Sequence, residues 1–382
     1  MSNRFGKIKD LSSISIADIV GSAISALFWF YLATLIEPEK YGEITFLLSI
    51  ASIASTVALL GAAQSLLVYS AKDVKIHSTL YVLNLIIGVI SAIIITFIVD
   101  DFSVGILVIG YLVFAIAYTD VLGKKYFKTY IKYILIQKIL MVSLSIGFFY
   151  LFGEDFIVLG MAISFFIGLL RIYHGFRETK IDFNLFKNNF SFVSYNYVHT
   201  LTAALHGSID KIIIAPLFGY VLLGNYSLGL QFLSLLMILP MIVGKYLIPQ
   251  ESSGIENVKL KKLIVLVSII IGILGVFIGP EIISFLFPKF SEADSVIRIV
   301  SLAVIPSTVV LNYRSKFLAN EKGNYVLFTG LIRTTIMILS VVVLGGLYGI
   351  EGVAVGVVLS ATGAAIFSRI MVKKSEKNEK EN

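Results

Sequence analysis

The sequence predicts an all-α polytopic membrane protein, with twelve transmembrane helices in two pseudo-symmetric six-helix bundles and both termini cytoplasmic. Three observations predict it. First, 57% of the 382 residues are hydrophobic and 14% charged, with a mean hydropathy of +0.92; an ordinary soluble domain carries about 25% charged residues. Second, the charges cluster between apolar runs of spanning length, which needs about 20 residues. Third, 25 of the 31 lysines and arginines fall on alternate connections between those runs.

In the first half the runs are 12–35, 43–70, 77–99, 103–123, 129–152 and 156–176. In the second half they are 188–217, 223–248, 260–286, 293–319, 324–347 and 351–371. Membrane strands would instead show short segments of alternating hydrophobicity. Cations mark the N-terminus (Arg4, Lys7, Lys9), the even connections and the C-terminal tail. Lys72 and Lys75 lie in the second connection, Lys124, Lys125, Lys128 and Lys132 around the fourth, and Arg171, Arg177, Lys180 and Lys187 around the sixth. The odd connections hold only Lys40 and Lys289, and several are acidic, as at Glu37, Glu39, Asp100, Asp101, Glu154 and Asp155. By the positive-inside rule the even connections are cytoplasmic. A miscounted span would scramble this alternation, so the charge pattern also supports twelve.

The net charge of +7 fits cytoplasmic loops beside anionic headgroups, at about 1 kcal/mol per near-surface cation; no nucleic-acid partner is implied. The N-terminus is basic and then apolar, but its apolar run is longer than a signal-peptide core and lacks a small-residue cleavage site, so it reads as a retained first helix. The absence of cysteine excludes disulfides and thiolate chemistry, and no metal site or cofactor is expected. Residues 372–382 form a charged cytoplasmic tail whose composition predicts disorder.

The halves repeat weakly. Leu35–Glu43 lies over Leu217–Asn225 at an offset of 182, pairing Gly42 with Gly224. Gly153, Gly160 and Ser164 pair with Gly349, Gly356 and Ser360 at an offset of 196. Six spans per half start both halves on the same side, which makes a parallel repeat, with lobes 1–182 and 183–371.

Four segments carry a family resemblance: Pro38-Glu39-Lys40-Tyr41-Gly42, Ile209-Asp210-Lys211, Leu223-Gly224-Asn225-Tyr226-Ser227 and Tyr348-Gly349-Ile350-Glu351-Gly352-Val353-Ala354. With their order and spacing, the chain resembles the polysaccharide transport (O-antigen and capsule repeat-unit flippase) family of the multidrug/oligosaccharidyl-lipid/polysaccharide exporter superfamily. The resemblance implies bundles around a central cavity, alternating access, and an undecaprenyl-diphosphate-linked oligosaccharide as cargo. It further implies the plasma membrane of a bacterium or archaeon, coupling to an H+ or Na+ gradient, and a polysaccharide polymerase and chain-length regulator as partners. The acids that some lipid II flippases carry in the eleventh helix have no match, since residues 324–347 lack Asp and Glu.

Moving a diphosphate through a membrane calls for fixed cations, and ionisable residues inside spans are functional candidates by default. Arg333 lies nine residues past Asn324, about 13 Å deep at helical rise, and its planar fork suits a diphosphate. The alternatives are a cross-helix acid pair or snorkelling. Lys138 lies at nearly the equivalent depth in the fifth helix, 195 residues earlier; it lines the cavity or forms a structural pair. In the seventh helix Tyr195, His199, Thr202, His206 and Asp210 share one face. His199 and His206 are too far apart to chelate a metal jointly, whereas His206 and Asp210 form an ion-responsive pair or an interhelix contact. Asp18, in a stripe with Ser22, Ser25 and Trp29, lines the cavity or balances a basic residue such as Lys9. Asp120 reads as structural beside Lys124, and Lys211 points about 100° away from the Asp210 face.

No Walker A motif is present, and no outer connection is long enough for a catalytic domain, so the chain is not expected to be an enzyme. Flipping of a lipid-linked oligosaccharide to the outer leaflet is the favoured function. A drug or cation antiporter on the same fold is the alternative, ahead of a membrane-embedded polysaccharide polymerase or ligase.

Overall fold

The computed structural model describes residues 2–72, 74–255 and 257–381, and every regular element among them is a helix. Span 1 is Ser2–Leu35. Span 2 starts at Pro38, where a missing N–H is harmless in the first turn. The continuous run expected over 43–70 is broken: Pro38–Leu59 gives way to Ala62–Ala71 through Leu60 and Gly61, at φ 45° and 74°. Backbone approach explains the break, since a Cβ on Gly61 would lie 2.5 Å from both the Tyr197 nitrogen and the Val193 carbonyl oxygen.

Span 3 is His77–Val99 and span 4 Phe102–Gly123. The acids between them shape the turn. Asp100 takes a left-handed conformation, and the Asp101 carboxylate caps span 4 by accepting from the Ser103 amide at 2.7 Å. Span 5 is Phe127–Phe152 and span 6 Glu154–Glu178. A short helix, Phe183–Asn188, capped by Asp182, precedes span 7.

Among the described residues, ten helical stretches are long and apolar enough to cross a membrane. Two of them contain a break: Gly207–Leu236 at Gly219 (φ 83°) and Gly323–Lys374 at Gly349 (φ 59°). The helix Phe190–Leu236 therefore divides at Gly219 into span 7 and the start of span 8, which continues as Ile238–Ser252 after a bend at Met237. Pro240 causes that bend, having no N–H to offer the carbonyl four residues back. Span 9 is Val258–Leu286 and span 10 Ala293–Ala319. Spans 11 and 12 divide at Gly349, completing twelve among the described residues. Span 12 runs on to Glu381, so the tail expected to be disordered continues the helix in its backbone.

The chain divides into two compact units, residues 1–28 with 47–208 and residues 29–46 with 209–382. The first has a core around Leu66, Tyr81, Leu112, Ile116 and Ile172. The second packs around Ile214, Tyr226, Val300, Val341 and Val353.

The repeat recurs in the packing of each unit. In the first, Gly160 presses on the Leu144 carbonyl, where a Cβ would sit at 2.7 Å, and Ser164 Oγ donates to the Met161 carbonyl at 2.5 Å. In the second, Gly356 meets Ser340, where a Cβ would sit at 2.6 Å, and Ser360 Oγ donates to the Val357 carbonyl at 2.8 Å. Small residues let apolar helices approach closely where lipid supplies no hydrophobic drive.

The other repeat segments meet each other within the second unit. A Cβ on Gly42 would overlap the Tyr220 carbonyl, and one on Gly224 would overlap the Pro38 carbonyl. Beside them Thr45 and Ser227, 182 residues apart, share a 3.1 Å hydrogen bond. Residue i meets j′ while j meets i′, the self-complementary pattern of a two-fold contact.

Candidate functional site

Three polar clusters lie within these helices. In the first unit, Tyr130, Ile134 and Lys138 recur every four residues and share one face of span 5. Asp18 in span 1 accepts a 3.0 Å hydrogen bond from the Tyr130 hydroxyl. Gly21 makes room for this packing: a Cβ there would be 3.2 Å from Ile134 Cγ2 and 3.6 Å from Lys138 Cγ. Ser25, one turn on, comes level with Lys138 by helical register, and its buried hydroxyl has no hydrogen-bond partner among the described residues. Lys138 is half-buried and likewise has no ion pair or hydrogen bond among them. Its neighbour Gln137 is 1% exposed and donates to Ser164 Oγ at 3.1 Å. Since Ser164 matches Ser360 in the repeat, Gln137 occupies the position 196 residues before Arg333, and Lys138 stands one place off.

In the second unit, Asp210 is 7% exposed and accepts from the Tyr226 hydroxyl at 2.7 Å. Lys211 reaches the same carboxylate at 3.4 Å. A helical wheel sets it about 100° away, but a flexible four-carbon stem bridges that angle. Arg333 lies in the field of Asp210 and Tyr226. Its Nε is buried with no hydrogen-bond partner among the described residues. The side chains of Tyr195, His199 and His206 lie outside the described residues; Asp210 is placed without them.

The third cluster closes the ends of spans 2, 3, 4 and 6 in the first unit. Asp120, fully buried, accepts from Arg171 Nε at 2.5 Å and from Ser70 Oγ at 2.8 Å. Lys124 lies 3.5 Å away and also pairs with Glu178. Arg171 bonds Glu178 through both terminal nitrogens, at 2.7 and 2.8 Å. His77 Nε2 lies 2.9 Å from Ser70 Oγ and 3.3 Å from Asp120. The second unit holds a counterpart with roles exchanged: Ser315 Oγ donates to Glu251 at 2.8 Å, and Lys261 pairs with that carboxylate. Ser70 and Asp120 precede Glu251 and Ser315 by nearly the two repeat offsets. Each unit thus locks matching helix ends with a buried serine–carboxylate bond and a cation.

Residues 31–263, more than half the chain, match the model of a family described as polysaccharide biosynthesis protein. The chain belongs to that family. No curated protein matches the chain. Among solved structures, an inward-facing multidrug resistance MATE family transporter of the MOP superfamily superposes with TM-score 0.72 at 14% identity, covering 96% of this chain and 99% of that one. The lipid II flippase MurJ in an inward closed conformation superposes with TM-score 0.71 at 14% identity, covering 94% and 87%. A mutant form of the Vibrio cholerae MATE transporter VcmN gives 0.62 at 14%, covering 99% of each. At such identities the likeness shows the fold. This member of the polysaccharide biosynthesis family is a multi-pass membrane protein with the fold of transporters and flippases.

Two functional candidates in this family member were hidden from sequence reading. Tyr226 was only part of a glycine-centred motif, and its link to Asp210 needs spans 7 and 8 folded together. Gln137 carried no charge to attract notice, although the 196-residue offset from Arg333 would have found it.

Proposed function

We propose that the protein is a flippase that moves an undecaprenyl-diphosphate-linked oligosaccharide repeat unit from the cytoplasmic to the outer leaflet of a bacterial or archaeal plasma membrane, by alternating access. Membership of a polysaccharide biosynthesis family and a flippase fold support the class. The observation that carries the cargo assignment is Lys138: a cation eleven residues into span 5, about 16 Å along the helix, with no counter-ion among the described residues. A charge in that position is costly, and an arriving diphosphate offsets it. Ser25, level with it and without a hydrogen-bond partner among the described residues, offers a hydroxyl to the same group. Arg333 differs in having Asp210 as an acid in its field, so anionic cargo would compete with Asp210 for it. The oligosaccharide then feeds O-antigen, capsule or exopolysaccharide assembly, with the polymerase and chain-length regulator acting downstream. An H+ or Na+ gradient drives the cycle.

The test is deletion of the gene with leaflet-resolved tracking of lipid-linked repeat units, complemented by variants. Loss of the protein should trap repeat units on the cytoplasmic leaflet. Lys138→Gln should fail to complement at normal abundance, and Lys138→Arg should restore part of the activity. Normal outer-leaflet delivery without the protein sinks the reading; full activity of Lys138→Gln removes the diphosphate contact. Drug sensitivity with normal repeat-unit delivery would favour the antiporter reading.

A further inference from the structure

A cavity of about 320 Å³ opens among the cytoplasm-facing connections of the first unit, lined by Ser70, Lys75, His77, Lys124, Tyr126, Glu178 and Thr179. Its volume is in the range of small-ligand sites, about 300–1,000 Å³. Hydrogen bonds tie the walls together. The start of span 3 is tied to the end of span 6 by the Ser78 amide and hydroxyl, which bond Thr179 at 3.1 and 2.7 Å. The turn after span 4 is fixed by Lys125 in a left-handed conformation, φ 61°, with the Tyr126 amide bonded to the Val121 carbonyl at 3.0 Å.

Charge accounting gives the cavity its sign. Asp120 and Glu178 are matched by Arg171 and Lys124, each of which reaches both carboxylates. Lys75 is then in excess: it is exposed and has no ion pair among the described residues. His77, 3% exposed, lines the same cavity. The Ser70 proton goes to Asp120, so Ser70 can only accept from His77, and Nε2 carries the imidazole proton. That leaves Nδ1 an acceptor, buried without a hydrogen-bond partner among the described residues, so His77 contributes no donor of its own to an anion in the cavity. Tyr126 adds a hydroxyl on a ring that is 54% exposed.

We propose that this cavity binds a phosphate-bearing anion. Lys75 supplies a positive charge that is unpaired among the described residues, Tyr126 a hydroxyl donor, and Lys124, which also pairs with Asp120 and Glu178, a second ammonium in the wall. Two sources carry this chemistry at a membrane surface: the headgroup of an anionic phospholipid and dissolved phosphate. The site lies at the helix ends and is separate from Lys138 in the interior of span 5, so its test does not depend on the cargo assignment.

The experiment uses the full-length protein in nanodiscs and follows the midpoint of thermal unfolding at constant ionic strength. One arm compares phosphatidylcholine alone with phosphatidylcholine containing phosphatidylglycerol. The other titrates inorganic phosphate into phosphatidylcholine nanodiscs. A rise in midpoint in the first arm alone assigns the site to lipid headgroups; a rise in the second assigns it to dissolved phosphate. Lys75→Gln should weaken the apparent affinity about fivefold, the effect of one lysine at an anionic surface. Lys75→Arg should keep the response. Lys128→Gln, an exposed neighbour outside the cavity, should leave it unchanged. Absence of stabilisation in both arms overturns the proposal, as does equal weakening by Lys75→Gln and Lys128→Gln, which would reduce it to general surface attraction.

Discussion

Asp120→Asn should lower the stability of the protein by about 3 kcal/mol, at the lower end of the 3–5 kcal/mol seen when one partner of a buried ion pair is removed. The side chain has no solvent exposure and holds Arg171 at 2.5 Å and Ser70 at 2.8 Å. Asparagine keeps the shape, loses the charge, and turns one acceptor into a donor facing other donors. The lower end applies because Arg171 retains its two bonds to Glu178, at 2.7 and 2.8 Å, and so is not left wholly uncompensated. At roughly 2 °C per kcal/mol for a large domain, the unfolding midpoint should fall by about 6 °C. The assay is the fraction of purified protein remaining monodisperse in detergent after stepwise heating. Arg171→Met should cost a similar amount, and the double variant clearly less than the sum, because it removes both charges together. A midpoint change under about 1 °C for Asp120→Asn would refute the reasoning. Loss of transport at unchanged stability would move Asp120 from holding the helix ends to the transport step itself.

Two further variants probe the second unit. Gly224→Val places a branched side chain where a Cβ alone would overlap the Pro38 carbonyl; overpacking of this kind costs about 1–3 kcal/mol. Heating of Gly224→Val beside Gly330→Val, at a glycine with open space around it, should show the loss only in the first. Asp210→Asn and Arg333→Gln should each destabilise, with a coupling of at least about 0.5 kcal/mol in the double-mutant cycle if the two share a field. Strict additivity would show that Asp210 is not the counter-charge of Arg333.

The spans were legible because membrane thickness and the cost of charge in lipid leave few ways to arrange such a chain. Breaks were less so. Gly61 ends a helix inside an apolar run because the backbone of span 7 presses on it, and nothing local to 43–70 announces that contact. Met237 bends span 8 because of Pro240, which a closer reading of the sequence would have caught. The repeat was visible as glycines at two offsets, and the structure gives them work: Gly42 and Gly224 are small because each faces the other segment's backbone. Asp120 was read as a partner of Lys124 one turn away, correctly as far as local spacing reaches. Its stronger partner is Arg171, 51 residues on.

Composition, run length and charge alternation by themselves determined the class and the number of spans, because lipid acts on each residue according to its own polarity, and small residues at two fixed offsets showed the repeat. Only the tertiary structure decided which interior charges have partners. Lys138 and Arg333 look alike in sequence, as lone cations in matching helices. In the fold Arg333 shares a field with Asp210, whereas Lys138 meets no acid among the described residues. Pairing depends on a few ångströms between side chains from different helices, and a linear sequence carries no such distance.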